Sequence, residues 1–379
     1  MPLLSSPALQ ALIGFSLLSL ALASRRVRRS FSTSSFWRVW FSPRNRLPVL
    51  LLGLTFAFGF SIWGQYLITA SRGFGAVANG AVSFRMDSDA LVFLLAGQSN
   101  MAGRGGIVMV RKSIDRGNGI SDGGDDDDRD DSPRTKVWDV TALTERELAL
   151  TKVADNDDSI VRMTADGRWI RAVEPMHADI DIHKTCGIGP GLIFARSVAA
   201  DLYRSDRRRR RQIALVPCAV GGTKISEWSR GQRLYSNMIT RAKLAMATAL
   251  DDRRPIEALL WYQGESDCGV QEDAIAYRGR LREFVRNVRE DLGLPSLRIV
   301  MVAVWASNIA HTLPFAESHV RPAIFSIANE DPLIRVADAK GLSFLSDNIH
   351  LTSESQFILA ERISLAYLDL VRTAHSHQL

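Results

Sequence analysis

Ser99 stands just past the apolar run Leu91–Ala96, in the segment Gly97-Gln98-Ser99-Asn100. The run is short, uncharged and bounded by glycine, which reads as a buried parallel strand, and Gly97 and Gly103 allow a tight turn after it. A hydroxyl at such a strand end is placed for nucleophilic attack, provided a base takes its proton and a carboxylate holds that base. Near the C-terminus Asp347 precedes His350 by three residues, and of the seven histidines only His350 has an aspartate at that offset. Ser99, Asp347 and His350 are thus candidates for nucleophile, orienting acid and general base. The segment differs from the G-x-S-x-G elbow, because Met101 takes the place of the second glycine.

Two further segments have the character of strand-end turns. Val216-Pro217-Cys218-Ala219-Val220-Gly221-Gly222-Thr223 follows the apolar run Ile213-Ala214-Leu215, and Trp261-Tyr262-Gln263-Gly264-Glu265-Ser266-Asp267 follows Leu259-Leu260. Acyl transfer builds negative charge on a carbonyl oxygen, which preorganised N–H donors stabilise. The Ser99 and Gly221 backbone N–H groups and the Gln263 side-chain amide are the donors expected to form this oxyanion hole, with Gly222 a close rival to Gly221.

The elements that must position these groups alternate. Apolar strand-like runs at 91–96, 213–217, 256–262, 298–304 and 333–337 are separated by amphipathic stretches around 190–204, 233–251, 271–291, 318–329 and 353–372. The pattern predicts an α/β fold, a three-layer α/β/α arrangement around a mostly parallel, five-stranded sheet. Ligands of such sheets gather outside the C-terminal strand ends, where Ser99, Gly221, Gln263 and the Asp347/His350 loop all fall.

The chain resembles the SGNH-type hydrolases, and within them the sialate O-acetylesterase-like (SASA) group that includes plant carbohydrate esterases. The resemblance spans most of residues 90–370. It rests on Leu95-Ala96-Gly97-Gln98-Ser99-Asn100-Met101-Ala102-Gly103-Arg104-Gly105, His177-Ala178-Asp179-Ile180-Asp181, Lys184-Thr185-Cys186-Gly187-Ile188-Gly189-Pro190-Gly191, the Gly221-Gly222-Thr223 turn, Trp261 to Asp267, and Asp347-x-x-His350. It implies Ser99 as nucleophile, His350 as base and Asp347 as its orienter, with Gly221 and Gln263 completing the oxyanion hole; Gln263 replaces the asparagine donor of the wider superfamily. The implied activity is removal of O-acetyl groups from carbohydrate by a serine esterase that needs no cofactor and no metal. An O-acetyltransferase with the same triad, or a tethered glycan-binding protein that has lost activity, are the alternatives. His177 and His183 with Asp179 and Asp181 then read as a structural loop. Arg104, Trp228 and Tyr277 are candidates for a sugar cleft or for packing.

Outside the domain expected at 90–372, composition changes. Leu47 to Ala70 contains no charged residue and is long enough to cross a bilayer, and seven arginines between Arg25 and Arg46 precede it without an acid among them. This predicts a transmembrane helix at 47–70, an Arg-rich segment at 1–46 on the cytoplasmic side, a linker at 71–89, and a catalytic domain that is lumenal or extracellular in the secretory pathway. Residues 1–24 are apolar and read either as a second span or as a cleaved signal, and organelle targeting is the alternative location. The formal charge of +6 is concentrated in those arginines and in Arg207–Arg211, so nucleic acid is not the expected partner. The acidic, glycine-rich stretch within about 111–136 lacks the apolar content to pack and predicts a disordered insert. Cys186, Cys218 and Cys268 lack metal-ligand spacing, and one pair of them could bridge in an oxidising compartment.

Overall fold

The computed structural model describes residues 84, 86–87, 89–111, 134–154, 157–205, 211–248, 256–306 and 309–376. In chain order these form β1 (Leu91–Gly97), α1 (Ser99–Ala102), β2 (Ile107–Arg111), β3 (Arg134–Trp138), α2 (Glu145–Leu150), β4 (Ile160–Met163), β5 (Trp169–Arg171), α3 (Gly191–Ser205), β6 (Ile213–Pro217), α4 (Arg233–Thr248), β7 (Ala258–Tyr262), α5 (Gln271–Leu292), β8 (Arg298–Ala303), α6 (Ile309–Thr312), α7 (Arg321–Glu330), β9 (Ile334–Asp338) and α8 (Ser353–Ser376). One sheet orders its strands β5-β4-β6-β1-β7-β8-β9, all parallel except for the antiparallel β4–β5 pair at one edge.

Strand β1 lies at the centre, and every one of its residues is buried, as expected for a parallel strand covered on both faces. On one face Phe93 meets Phe194 of α3 and Tyr367 of α8 edge-on, at ring separations of 5.0 and 5.1 Å. Trp261 pairs with Ala96, three residues on from Phe93, so its side chain emerges on the opposite face. There it packs against Trp228 at 5.2 Å and Phe284 of α5 at 4.2 Å. These two aromatic clusters anchor the helical layers to the strands that end at the candidate site.

The five expected strands and the five principal helices are present, and the sheet has seven strands rather than five. The two missed strands are short, and β4 carries Arg162, whose guanidinium reaches Asp179 at 2.8 Å and the Met176 carbonyl at 3.1 Å. A charge within four residues hides an apolar run. The insert expected at 111–136 has structured flanks, since β2 and β3 pair antiparallel from Ile107↔Trp138 to Arg111↔Arg134; residues 112–133 lie outside the described residues. So does the membrane span expected at 47–70. Among the described residues no helix is long and apolar enough to cross a membrane.

Between β5 and α3 the chain runs from Val173 to Pro190 without strand or helix, held by buried polar groups. Glu174 is buried and accepts from the backbone N–H of Met176 (2.9 Å) and Gly189 (3.4 Å). Burial pushes its carboxyl up to about 8, outweighing those hydrogen bonds. Burial likewise pushes the His177 imidazole down to about 3.

The Phe93 cluster sets one expectation: Phe93→Ala should lower the unfolding free energy by about 3–5 kcal/mol in a denaturant titration, whereas Leu365→Ala, 65% exposed on α8, should change it by less than about 0.5 kcal/mol. Glu174 sets another. Above the usual carboxylate range the folded chain holds a proton that the unfolded chain has released, so stability falls as pH rises toward 8. His177 contributes a rise with pH that is complete near its ordinary value of 6.5. Melting temperatures of Glu174→Gln between pH 6.5 and 8 should therefore be flatter than those of the wild type.

Candidate active site

The turn that follows β1 is dictated by Gly97. At φ +125° its position lies against the end of β7, where a Cβ would stand 2.1 Å from the Tyr262 carbonyl oxygen. The Gln98 N–H donates to that same oxygen at 2.8 Å, and α1 begins at Ser99. As the first residue of the helix, Ser99 has a backbone N–H with no intrahelical acceptor.

The loop between β9 and α8 meets this turn from across the molecule. Ser99 Oγ lies 2.9 Å from His350 Nε2, and His350 Nδ1 lies 2.6 Å from Asp347 Oδ2. Asp347 Oδ1 also accepts from the backbone N–H of Ile349 (3.1 Å) and His350 (2.9 Å), and Asn348, directly after Asp347, is in the left-handed region at φ 59°. Partial burial would raise the Asp347 carboxyl, but the hydrogen bonds from His350 and the backbone prevail and hold it well below the usual carboxylate range. Serine, imidazole and an ionised carboxylate therefore stand in line.

Two of the three expected oxyanion donors, Gly221 and Gln263, have their N–H groups engaged elsewhere. Gly221 is next to the serine, since a Cβ on it would lie 3.4 Å from Ser99 Cβ, but its N–H donates to Asp181 Oδ2 at 3.0 Å. Asp181 is held in turn by Arg104 at 2.6 Å, both side chains being buried. Gln263 does not line the cleft. It is completely buried, and its Nε2 donates to Asp267 Oδ2 (2.6 Å) and Thr223 O (2.9 Å), with Gln98 Oε1 also within reach at 3.2 Å, so its amide serves the interior rather than the cleft. Burial raises the Asp267 carboxyl to about 6 against the pull of these bonds.

Gln98, which sequence reasoning did not single out, also lines the cleft. Its Oε1 faces the backbone N–H groups of Ser266 (3.3 Å) and Gly264 (3.5 Å) as well as Gln263 Nε2. Backbone N–H groups can only donate, so the amide orientation is determined and Nε2 points the other way, with no hydrogen-bond partner among the described residues. The available signal was its place on the turn after β1, one residue before Ser99.

The cleft encloses about 320 Å³ and is lined by residues that include Gln98, Ser99 and His350 as well as Arg104, Lys136 and Lys184. A larger hollow of about 570 Å³ near Asp157, Arg196 and Tyr203 contains none of the aligned residues. Arg104 thus reaches the cleft, whereas Trp228 and Tyr277 are fully buried, donating to Thr223 Oγ1 (3.1 Å) and Gln263 O (2.9 Å). Among the described residues no group of three or more His, Cys, Asp or Glu could hold a metal ion. Asp179 and Asp181 are instead paired with arginines. The three cysteines are buried free thiols.

Residues 89–369 match the SASA family, described as carbohydrate esterase, sialic acid-specific acetylesterase. A protein of Arabidopsis thaliana named as a probable carbohydrate esterase is 38% identical over 277 residues, which cover 73% of this chain and 90% of that one. An X-ray structure of that Arabidopsis protein at 1.6 Å superposes with a TM-score of 0.58 and 36% identity, over 74% of this chain and 98% of the other. The crystal structure of NanS shares the fold, with a TM-score of 0.50 and 15% identity over 76% of this chain and all of that one. On the span and identity of these matches, the chain belongs to the SASA family of carbohydrate esterases.

Proposed function

We propose that the protein is a carbohydrate O-acetylesterase that works through Ser99, His350 and Asp347. The observation that carries this reading is the unbroken line from Ser99 Oγ through His350 to Asp347, at 2.9 and 2.6 Å, opening into a cleft. Membership of the SASA family, and the carbohydrate esterase named among the relatives, support an acetylated glycan as substrate. The charge-free run Leu47–Ala70 after an arginine-rich segment supports attachment to a membrane, with the catalytic domain on the lumenal or exterior side.

In the first half of the reaction Ser99 Oγ attacks the acetyl carbonyl carbon while His350 Nε2 accepts the hydroxyl proton. Asp347 stays ionised throughout and stabilises the imidazolium. Negative charge gathers on the carbonyl oxygen, where the free Ser99 N–H and Gln98 Nε2 stand ready to donate. Collapse of the tetrahedral intermediate breaks the bond to the sugar oxygen, which leaves with the proton from His350, and Ser99 retains the acetyl group. Water then attacks the acetyl-serine with His350 again as base, and acetate departs as the Ser99 hydroxyl is restored.

Acetate release should be measured on a panel of acetylated xylan, pectin, mannan and sialic acid. Ser99→Ala should reduce kcat by about 10⁴-fold or more, and unchanged turnover would remove the nucleophile assignment. Gln98→Ala should lower kcat by about 10²–10³-fold at nearly constant KM, the signature of a donor engaged only in the transition state. Turnover within a few-fold of wild type in that variant would exclude Gln98 from the oxyanion hole.

A further inference from the structure

Asn100, directly after the nucleophile, is fully buried, and its side chain grips the base loop on both sides of His350. Asn100 Nδ2 donates to the Ile349 carbonyl at 3.1 Å, and Asn100 Oδ1 accepts from the Leu351 N–H at 3.0 Å. A carbonyl only accepts and a backbone N–H only donates, so the orientation of this amide is unambiguous. Nδ2 also donates to Glu265 Oε1 at 2.8 Å, and Glu265 is itself buried on the turn after β7. The Asn100 carbonyl accepts from Gln356 Nε2 of α8 at 3.2 Å.

The bonds that shape the base loop run within it. Leu345 N–H donates to His350 O at 2.7 Å, Asn348 N–H to Leu345 O at 3.0 Å, and Asp347 Oδ1 accepts from residues 349 and 350. They hold imidazole to carboxylate, but they do not fix the loop against the turn that carries Ser99. The Asn100 amide does so at two points, and Glu265 holds that amide from the side of β7.

We propose that Asn100, backed by Glu265, is a positioning residue that sets His350 Nε2 at bonding distance from Ser99 Oγ. The proposal rests on the roles given above to Ser99 and His350. A displacement of about 1 Å between reacting groups costs on the order of 10²-fold in rate, so loss of the clamp should appear in the chemical step more than in substrate binding.

The test compares the full-length chain with N100A, N100D and the N100D/E265Q double variant. The readouts are kcat and KM for a chromogenic acetyl ester, the second-order rate of Ser99 labelling by a fluorophosphonate, and the melting temperature. In N100A, labelling and kcat should both fall about 10²-fold while KM stays within about threefold. N100D sets a carboxylate against Glu265 and the Ile349 carbonyl and should be slower still; adding E265Q restores a donor across the pair and should recover at least about tenfold. Labelling and kcat within about threefold of wild type in N100A would overturn the proposal, as would failure of the double variant to recover. If N100A does not fold, N100D against the double variant decides in the same way. A wild type that labels at Ser99 yet releases no acetate from any ester would overturn the esterase reading, and the labelling rates would still judge the clamp.

Discussion

Gly97 leaves strand β1 through a space that admits no side chain, because the Tyr262 carbonyl at the end of β7 occupies it. That close approach joins two strand-end turns into one body. The Gln98 N–H takes the Tyr262 carbonyl, and Gln98 Oε1 takes donors from the turn after β7. Ser99 then has little freedom, since the residue before it is hydrogen-bonded through both main chain and side chain. Asn100 after it is hydrogen-bonded to Glu265 and to the base loop. Any substituent at Gly97 would separate these turns, and the distance from Ser99 to His350 would change with them.

Around this joint the protein buries several polar and charged groups, which costs least where they pair with one another. Arg104 and Asp181 neutralise one another, and Asp181 uses the same oxygen to hold the Gly221 N–H, so a buried ion pair fixes the backbone beside Ser99. Gln263 performs an equivalent task one layer deeper, linking Asp267, Thr223 and Gln98. Such polar networks confer rigidity more than net stability. A rigid surround suits a reaction in which donors must already be aimed at a charge that exists only in the transition state.

Much of the architecture was legible because burial on two faces demands an uninterrupted apolar strand. Leu91–Ala96, Ile213–Pro217 and Leu259–Tyr262 satisfy that demand without a charge, and all three lie in the middle of the sheet. Legibility fails toward one edge, where β4 accommodates Arg162 by pairing it with Asp179 and β5 has three residues. The hairpin β2–β3 escaped for another reason. Its strands carry polar and charged residues, and 22 positions separate Arg111 from Arg134, so neither period nor a short turn announces the pairing. The grouping of Ser99, Asp347 and His350 was legible because chemistry restricts the residue types that can act together, and because one histidine alone has an aspartate three positions before it.

From the sequence alone came Ser99, His350 and Asp347 as the candidate residues, the α/β alternation that brings strand ends together, and the family resemblance. These depend on residue type and on local periodicity, which a linear chain displays. Which glutamine faces the cleft was settled only in three dimensions. Gln98 and Gln263 both follow an apolar strand, and although Gln98 adjoins Ser99, nothing local says which way either amide turns. The difference arises because β1 and β7 are adjacent, so backbone donors of one turn claim the oxygen of Gln98 while a buried aspartate and a carbonyl claim the amide of Gln263. The same holds for Asn100, whose partners lie 249 and 251 positions away and exist only once the sheet has closed.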